Sequence, residues 1–259
     1  MYGYSRQAFY KRKQIETQRD SQSHGALNEV RRIRVRQTRV GGRKLHLELN
    51  SRGIPIGRDR LFDLLREENL LIKKKRAFRR TTWSAHGLRT YANCIKNRVV
   101  SRPGEVIVSD ITYLQTLEGF CYLFLVTDLF SRKIIGYAVR PSLEAEGALA
   151  AFRMALSVLP KDSQTIHHSD RGVQYCCWDY VNLLKAHNIQ ISMTEEDHVY
   201  ENAVAERVNG ILKDEFHLGR CLLSKVMASK MTAEAIEIYN DERLHTSLGF
   251  KTPSAVYAA

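Results

Sequence analysis

Cysteine is scarce in this sequence, and the cysteines present form no recognisable metal or disulfide pattern. Among Cys94, Cys121, Cys176, Cys177 and Cys221, no pair is separated by two residues, the spacing typical of zinc sites. We therefore predict reduced thiols, as in cytoplasmic proteins. The adjacent Cys176 and Cys177 are interpreted as residues at the start of a helix rather than as metal ligands.

Long apolar runs are also missing. No stretch of about 18 apolar residues is present, so no membrane-spanning helix is predicted. The N-terminal segment MYGYSRQAFYKRK lacks the apolar centre of a signal peptide. With 259 residues, of which 44% are hydrophobic, the chain can form one or two domains with a buried core. These features predict a globular protein of the cytoplasm with no membrane partner.

Acidic residues are scarce in the first hundred positions. Residues 1–100 contain 25 Lys and Arg against 8 Asp and Glu, a net charge of +17. Residues 101–259 contain 15 and 20, a net charge of −5. A solubilising surface would mix both signs, whereas cations concentrated in one half of the chain favour binding to a polyanion. We therefore expect nucleic acid as a partner of the N-terminal half.

Residues 1–70 are predicted to form a small basic region of two or three helices, similar to a helix-turn-helix. Leu27, Val30 and Ile33 recur at helical spacing, and Gly53 is a stop signal for a later helix. Residues 1–24 are either the end of a helix-turn-helix or a mobile arm. A helical hairpin that only packs on the rest of the chain is the alternative to DNA binding. The predicted DNA contacts of this region are Arg31 and Arg32.

Residues 71–102 are predicted to be a basic linker. Six cations occupy eight positions between residues 73 and 80. This density favours an extended segment that lies along a phosphate backbone. The turn pair Pro103-Gly104 marks the boundary with the next domain. The predicted DNA contacts of the linker are Lys73, Lys74, Lys75 and Arg76.

Residues 103–259 are predicted to form one α/β domain. The runs EVIVSDITYL, GFCYLFLVTDLF and RKIIGYAVR are three consecutive strand patterns, which indicate an antiparallel meander. A helix capped by Ser142 follows, and then a strand, a helix and a strand over residues 164–193. Two further helices precede the C-terminal tail. The expected architecture is a five-stranded mixed sheet flanked by helices.

Three acids stand out in this domain because they belong to separate elements. Asp110 ends the run EVIVSD in the first strand pattern, Asp170 follows the fourth, and Glu206 lies in a helical pattern with 35 residues between it and Asp170. Carboxylates from separate elements that meet through the fold are typical of a divalent metal site. Mg²⁺ prefers such hard oxygen ligands, and two ions can clamp the attacking and leaving oxygens of a phosphodiester.

Other acids fit ordinary structural roles better. Asp128 ends a strand pattern, and Asp179 lies in the first turn of a helix, where the helix dipole favours a negative charge. Glu201 is the nearest rival of Glu206, but it precedes the helix. The three acids above are therefore the candidate catalytic and metal-binding residues.

Four segments resemble a known family, namely SDITYL, HSDRGVQY, ENAVAERVNGILKDE and YNDERLHTSLGFKTPSAVY. In this order they are similar to the catalytic domain of integrase-like transposases of the IS-three insertion-sequence family, in particular its second-frame (OrfB) protein. That family belongs to the DDE superfamily with the retroviral integrases. The match runs from about Arg102 to Tyr257, and four ordered motifs are far more specific than one. The resemblance implies an RNase H-like core whose acidic triad is Asp110, Asp170 and Glu206.

The resemblance also implies a reaction and its partners. Two Mg²⁺ ions, for which Mn²⁺ can substitute, would be held by the triad and would support DNA strand cleavage and strand transfer. The implied partners are the DNA of the element ends and of the target, further copies of the chain as a homo-oligomer on DNA, and the product of an upstream reading frame, separate or fused. The implied location is the bacterial cytoplasm, in association with the nucleoid.

A basic residue seven positions after the last acid is usual in the family, and Lys213 stands there. The motif departs from the family in Glu201-Asn202 and in Arg207, where Asp-Asn and a small polar residue are common. The YNDERLH motif is interpreted as an element of fold and DNA binding, with His245 as general base the less favoured alternative. The predicted DNA contacts of this domain are Asn202, Arg207, Lys213, His168, Arg171 and Arg243.

Two other functions stay open at this point. One is an RNase H-like, structure-specific nuclease that only hydrolyses DNA; the basic N-terminal half and the YNDERLH motif separate it from a transposase. The other is a DNA-binding regulator with an inactive catalytic fold, and the complete acidic triad argues against it.

Overall fold

The computed structural model describes residues 6–72, 87–160, 164–195 and 202–259. The chain divides into two compact units, residues 1–77 and residues 78–259. In the ranges given, no helix is both long and apolar enough to cross a bilayer. The predicted linker cations Lys73, Lys74, Lys75 and Arg76 lie outside the described residues.

The first unit consists of helices α1 (Arg6–Arg36), α2 (Gly42–Ser51) and α3 (Arg58–Glu67). The helical prediction is confirmed, but residues 6–24 belong to α1 and are not a separate arm. The segment lacks proline, and Gln, Lys, Arg and Glu, which favour helix, are common in it. The three helices enclose a small apolar core of Ala26, Val30, Ile33, Val40, Leu45, Leu49, Leu61 and Leu65.

The second unit is built on a five-stranded sheet. Its strands are β1 (Val106–Thr116), β2 (Gly119–Asp128), β3 (Ile134–Arg140), β4 (Ile166–Ser169) and β5 (Gln190–Met193). The order is β3-β2-β1-β4-β5; the first three strands are antiparallel, and β1, β4 and β5 are parallel. The predicted mixed sheet and its antiparallel meander are therefore confirmed.

Helices cover both faces of this sheet. They are α4 (Ala145–Leu156), α5 (Val173–Cys176), α6 (Trp178–Ala186), α7 (Ala203–Glu215), α8 (Lys225–Asp241) and α9 (Pro253–Tyr257). One apolar cluster joins the sheet to α4, α5 and α6, and a second joins it to α7 and α8. The predicted cap of α4 was wrong: Glu144, not Ser142, is the extended residue that precedes it.

The second half of the predicted linker belongs to the second unit. The Cys94 amide donates to Ser192 Oγ at 2.8 Å, and Arg98 pairs with Glu105 at 2.9 Å. Tyr91 packs against the apolar cluster of α4 and α6. Residues 87–102 are therefore part of the surface of this unit.

Gly136 on β3 is the position where the sheet approaches α4 most closely. A Cβ atom added there would lie 2.1 Å from the Ala151 carbonyl oxygen and 2.9 Å from the Ala155 amide nitrogen. We expect Gly136→Ala to destabilise the protein by about 2–3 kcal/mol, because the backbone of a packed helix has to move. Urea denaturation monitored by circular dichroism measures the loss.

Gly210→Ala is the matched control for that substitution. Gly210 lies inside α7, and an added Cβ would meet nothing within 4 Å. Alanine there should leave stability unchanged or raise it by about 0.5–1 kcal/mol. Equal effects of the two substitutions would contradict the close packing of β3 on α4.

Candidate active site

Asp110 lies on the part of β1 that has an open edge. Strand β4 pairs only with Val106, Ile107 and Val108, so the next residues of β1 have no strand on that side. Helix α7 contacts β1 instead. The Asp110 carboxyl is half-buried, and its Oδ1 accepts a hydrogen bond from the Ile111 amide at 2.9 Å. On the β4 side, the sheet thus has an open edge at Asp110, and this acid is still partly accessible.

Two asparagines dock α7 against this edge. Asn209 Nδ2 donates to Asp110 Oδ2 at 2.7 Å, and Asn202 Nδ2 donates to the Ser109 carbonyl at 3.1 Å. They stand seven residues apart on α7 and its N-cap, on either side of Glu206. This pair sets the register of α7 on β1, and therefore the place of Glu206 relative to Asp110. Asn202, predicted as a DNA contact, is buried and has this structural partner.

Asp170 follows β4 directly and is half-buried. Its Oδ1 accepts a hydrogen bond from the Gly172 amide at 3.0 Å, which closes a tight turn. The same turn is held by Arg171, whose Nε donates to the Thr194 carbonyl after β5 at 2.7 Å. Arg171 therefore ties the ends of two parallel strands together, and its predicted DNA contact stays a prediction.

Glu206 and Lys213 lie on α7 seven residues, or two turns, apart, and Asn209 lies between them. Glu206 is exposed in the first turn of the helix, and Lys213 is half-buried near its end. The Lys213 ammonium lies 4.2 Å from the centre of the Tyr113 ring. Burial lowers the pKa of Lys213, and the negative charge of Asp110 partly opposes this effect. A cation is therefore close to the acids, as the spacing predicted.

The electrostatics of the site centre on Asp110. Burial, and next the charge of Asp170, raise the pKa of Asp110 to about 7; hydrogen bonds from Asn209 and Ile111 oppose the shift, and Glu206 adds a smaller effect in the same direction. The structure thus brings Asp110 and Asp170 together, with Glu206 coupled more weakly. Two carboxylates that repel each other in a partly buried site favour either a shared proton or a bound cation.

The donor set fits a divalent ion of the Mg²⁺ type. Aspartate and glutamate oxygens are the hard ligands that Mg²⁺ and Mn²⁺ prefer, and a dication would remove the repulsion that raises the pKa of Asp110. Throughout the described ranges, no group of three or more His, Cys, Asp and Glu side chains lies close enough to hold a metal ion. Of the other two predicted ligands, Asp170 affects Asp110 more strongly than Glu206 does, and the metal-binding role of all three stays a prediction.

A buried polar network lies directly beneath the aspartates. His167 Nε2 is 2.8 Å from Ser109 Oγ and 2.9 Å from Tyr180 Oη, and the imidazole is fully buried. Burial lowers the pKa of His167 to about 3, so the ring is neutral at physiological pH. Ser109 precedes Asp110, and His167 lies on the strand that Asp170 follows. This network therefore fixes β1 against β4 next to both aspartates.

Two of the predicted DNA contacts are interior residues. Arg243 is 5% exposed and makes a two-pronged ion pair with Glu215, with Nε and Nη2 each 2.7 Å from an oxygen. His168 is fully buried, and its Nδ1 lies 2.8 Å from Ser192 Oγ. These placements argue against DNA contacts, because the groups that would bind a phosphate face the interior.

The remaining predicted DNA contacts lie on the surface. Arg207 is exposed on α7. In the first unit, Arg31 pairs with Glu68 at 2.8 Å and Arg32 with Glu29 at 3.5 Å, and both arginine side chains are largely exposed. Exposed pairs of this kind contribute little stability, so either arginine can exchange its partner for a phosphate.

Asn209, which donates to Asp110, was not among the predicted site residues. Its spacing from Glu206, three residues, was the available signal, because residues i and i+3 share a helix face. Ser109 was missed as well. Nothing in its neighbourhood along the chain indicates that it meets a histidine 58 positions away.

Comparison with known proteins shows which family the chain resembles. Two family models, both described as integrase core domain, match residues 100–198 and 187–253. A 31 kDa protein of insertion element IS600 from Shigella sonnei is 36% identical over 98% of this chain and 95% of its own length. Transposase InsF of insertion sequence IS3A from Escherichia coli strain K12 is 36% identical over 83% of this chain and 75% of its own.

A solved structure shares the fold. The simian T-cell lymphotropic virus intasome in complex with PP2A regulatory subunit B56 gamma contains a chain that superposes with a TM-score of 0.54 and 15% identity, covering 86% of this chain and 72% of that one. The fold and the matched models thus define an integrase core protein with an RNase H-like domain. The chain belongs to the IS3 family of insertion-sequence transposases, as the resemblance implied.

The raised pKa of Asp110 predicts how metal-free stability changes with pH. The folded protein retains a proton on Asp110 between about pH 4 and pH 7 that the unfolded chain has lost, so this contribution to stability is full below about pH 4, falls across that range and is gone above pH 7. In EDTA at pH 8, Asp110→Asn should therefore melt a few degrees above wild type, with a smaller difference at pH 5 and little at pH 4. Adding Mg²⁺ at pH 8 should raise the melting temperature of wild type but not of the variant. A variant that responds to Mg²⁺ as wild type does would contradict this assignment.

Proposed function

We propose that the chain catalyses metal-dependent cleavage and strand transfer of DNA in the transposition of an insertion sequence. The observation that supports this proposal most is that Asp110 and Asp170 stand on or directly after neighbouring parallel strands, each two residues beyond the paired Val108 and His168. Helix α7, which carries Glu206 and Lys213, is docked beside Asp110 by the Asn209 hydrogen bond. The fold provides the positions, and the two aspartates provide the chemistry of a phosphoryl-transfer site. The transposase relative favours strand transfer over the nuclease and regulator alternatives.

Asp110 and Asp170 would hold the metal ions, and Glu206 would complete the ligand set. When bound, two Mg²⁺ or Mn²⁺ ions supply charge neutralisation at the attacking and leaving oxygens of a phosphodiester. Glu206 is exposed on the first turn of α7, so its side chain can adopt other rotamers.

The other residues of the site would position the two aspartates and neutralise phosphate charge. Asn209 fixes one oxygen of Asp110, which leaves the Asp110 carboxylate in one orientation. Gly172 and Arg171 fix the turn that carries Asp170. Lys213, one turn beyond Asn209, lies where it can neutralise the charge of a phosphate near the acids. Asn209, Gly172 and Arg171 would thus position the aspartates and Lys213 would contact DNA, and none of them needs to form a covalent bond to it.

The basic first unit would hold DNA away from the reacting phosphate. Arg31 and Arg32 are exposed on α1, in the half of the chain with a net charge of +17. We also propose a homo-oligomer on DNA, because transposition brings two element ends together, and a product of the upstream reading frame as a further partner. A location at the bacterial nucleoid follows if DNA is the substrate.

A strand-joining assay tests the proposed function. Labelled duplexes of the host element's ends are incubated with the protein, a target plasmid and Mg²⁺ or Mn²⁺, with and without the upstream-frame protein. Metal-dependent joined products are expected. Cleavage without joining would favour the nuclease alternative instead.

A further inference from the structure

An exposed aromatic surface lies on the β1–β2 hairpin beside the site. It consists of Tyr113, Tyr122 and Phe120. Tyr113 and Tyr122 are direct cross-strand partners, and Phe120, two residues before Tyr122, lies on the same face of the hairpin. The rings of Tyr113 and Phe120 meet edge to face, with centroids 5.6 Å apart. Phe120 is 51% exposed and Tyr113 is 37% exposed, so the surface is open to a ligand.

Lys213 connects this surface to the acids. Its ammonium lies over the Tyr113 ring, 4.2 Å from the centroid. One turn earlier on α7, Asn209 is hydrogen-bonded to Asp110. An uninterrupted path of contacts therefore leads from Asp110 through α7 to Lys213, then to Tyr113 and Phe120.

The exposed aromatic rings and the neighbouring cation indicate which kind of ligand this surface can bind. Any apolar group that covers a half-exposed phenylalanine removes apolar surface from water, and a flat aromatic group can cover the whole open face of the ring. A cation directly beside the ring suits an anionic group attached to that flat group. A DNA base with its phosphate combines both features, and stacking of bases on aromatic side chains beside a cation is the usual way in which proteins hold unpaired nucleotides.

We infer that a base next to the reacting phosphate stacks on Phe120, while Lys213 contacts a phosphate of the same strand. This inference rests on the proposed function, because it places the nucleotide by the contacts that link Phe120 to Asp110 through Tyr113, Lys213 and α7. It requires an unpaired base, so the duplex is opened at that position. Tyr113 supports the Phe120 ring and holds Lys213 in place.

Fluorescence of 2-aminopurine tests the inference. Element-end duplexes carry this base at each position within two nucleotides of the cleaved phosphate, and the protein carries Asp110→Asn so that the DNA stays intact. Stacking should quench the fluorescence at one position. Phe120→Ala should abolish the quenching and weaken DNA binding about tenfold, since one stacked base is lost. Phe120→Trp should retain both.

Trp178→Ala is the matched control, because Trp178 is a 77% exposed aromatic residue on α6 of the same unit. It should change neither quenching nor affinity. The inference is overturned if Phe120→Ala quenches as the parent does, or if no position is quenched although the DNA binds. It is also overturned if Phe120→Ala alters only self-association in sedimentation. Strand joining by wild type without any such quenching would overturn this inference alone, whereas absence of DNA binding and joining would overturn the proposed function as well.

Discussion

Asp110→Asn and Asp170→Asn are each expected to reduce strand joining by about a thousandfold or more, while DNA affinity changes little. Each substitution keeps the size of the side chain and removes one negative charge from the pair that would hold the metal ions. A thousandfold loss corresponds to about 4 kcal/mol of transition-state stabilisation, which is the scale of metal-ion catalysis. Joined product is quantified on a denaturing gel, and binding is measured by fluorescence anisotropy with the same duplex.

Asp179→Asn is the control for these variants. Asp179 lies exposed in the first turn of α6, where its charge has an ordinary structural role. Its substitution should leave joining unchanged. If Asp110→Asn or Asp170→Asn weakened DNA binding as strongly as joining, the acid would be structural, and the site would have to be sought elsewhere.

Glu215→Leu is expected to destabilise the second unit by about 3 kcal/mol, because it leaves a buried guanidinium without its carboxylate. The Arg243 side chain is 6% exposed, and both of its paired nitrogens depend on Glu215. Arg243→Met should cost less, since the Glu215 side chain is 23% exposed and can be hydrated. The double variant should recover part of the loss. Chemical denaturation of all four proteins gives the double-mutant cycle.

Glu146→Leu is the comparison for the buried pair. Glu146 pairs with Arg153 at 3.2 Å, but the two side chains are 60% and 57% exposed. Loss of such a surface pair should cost less than about 1 kcal/mol. If Glu215→Leu were equally mild, Arg243 would be hydrated in solution and again a candidate DNA contact.

The strands and the acids could be predicted because their signals are local. Runs of apolar residues define β1, β2 and β3, and they also locate Asp110 within the first strand pattern and Asp170 after the fourth. Glu206 could be placed on α7 by helical spacing. The architecture of the second unit follows from such patterns, together with the order of the motifs.

The fate of individual polar side chains could not be predicted in the same way. Arg243, His168 and Asn202 are polar residues within a DNA-related motif, and the chain pattern does not show that Glu215, Ser192 or Ser109 lies opposite them. Each of these bonds joins residues distant in sequence. Only packing of the helices and strands creates these bonds. A polar residue predicted at the surface can therefore be buried and hydrogen-bonded to a distant part of the chain.

The extent of α1 differs from the predicted division of the first unit. Residues 1–24 were predicted as a segment of their own, yet one helix runs from Arg6 to Arg36. An added Cβ at Gly25 would meet nothing within 4 Å, so this glycine marks no close approach. A single glycine costs a helix only about 1 kcal/mol relative to alanine, which its neighbours can offset.

The most direct test of the proposed strand transfer compares two donor ends in the wild-type reaction with Mg²⁺. One element-end duplex carries a 3′-hydroxyl at the transferred strand, and the other carries a 3′-dideoxy nucleotide but is otherwise identical. Joined product is expected only with the 3′-hydroxyl end, because in the proposed reaction that oxygen is the nucleophile that attacks the target phosphodiester. Equal breakage of the target with both ends, and no joined product, would show that water is the nucleophile and that the protein is a nuclease.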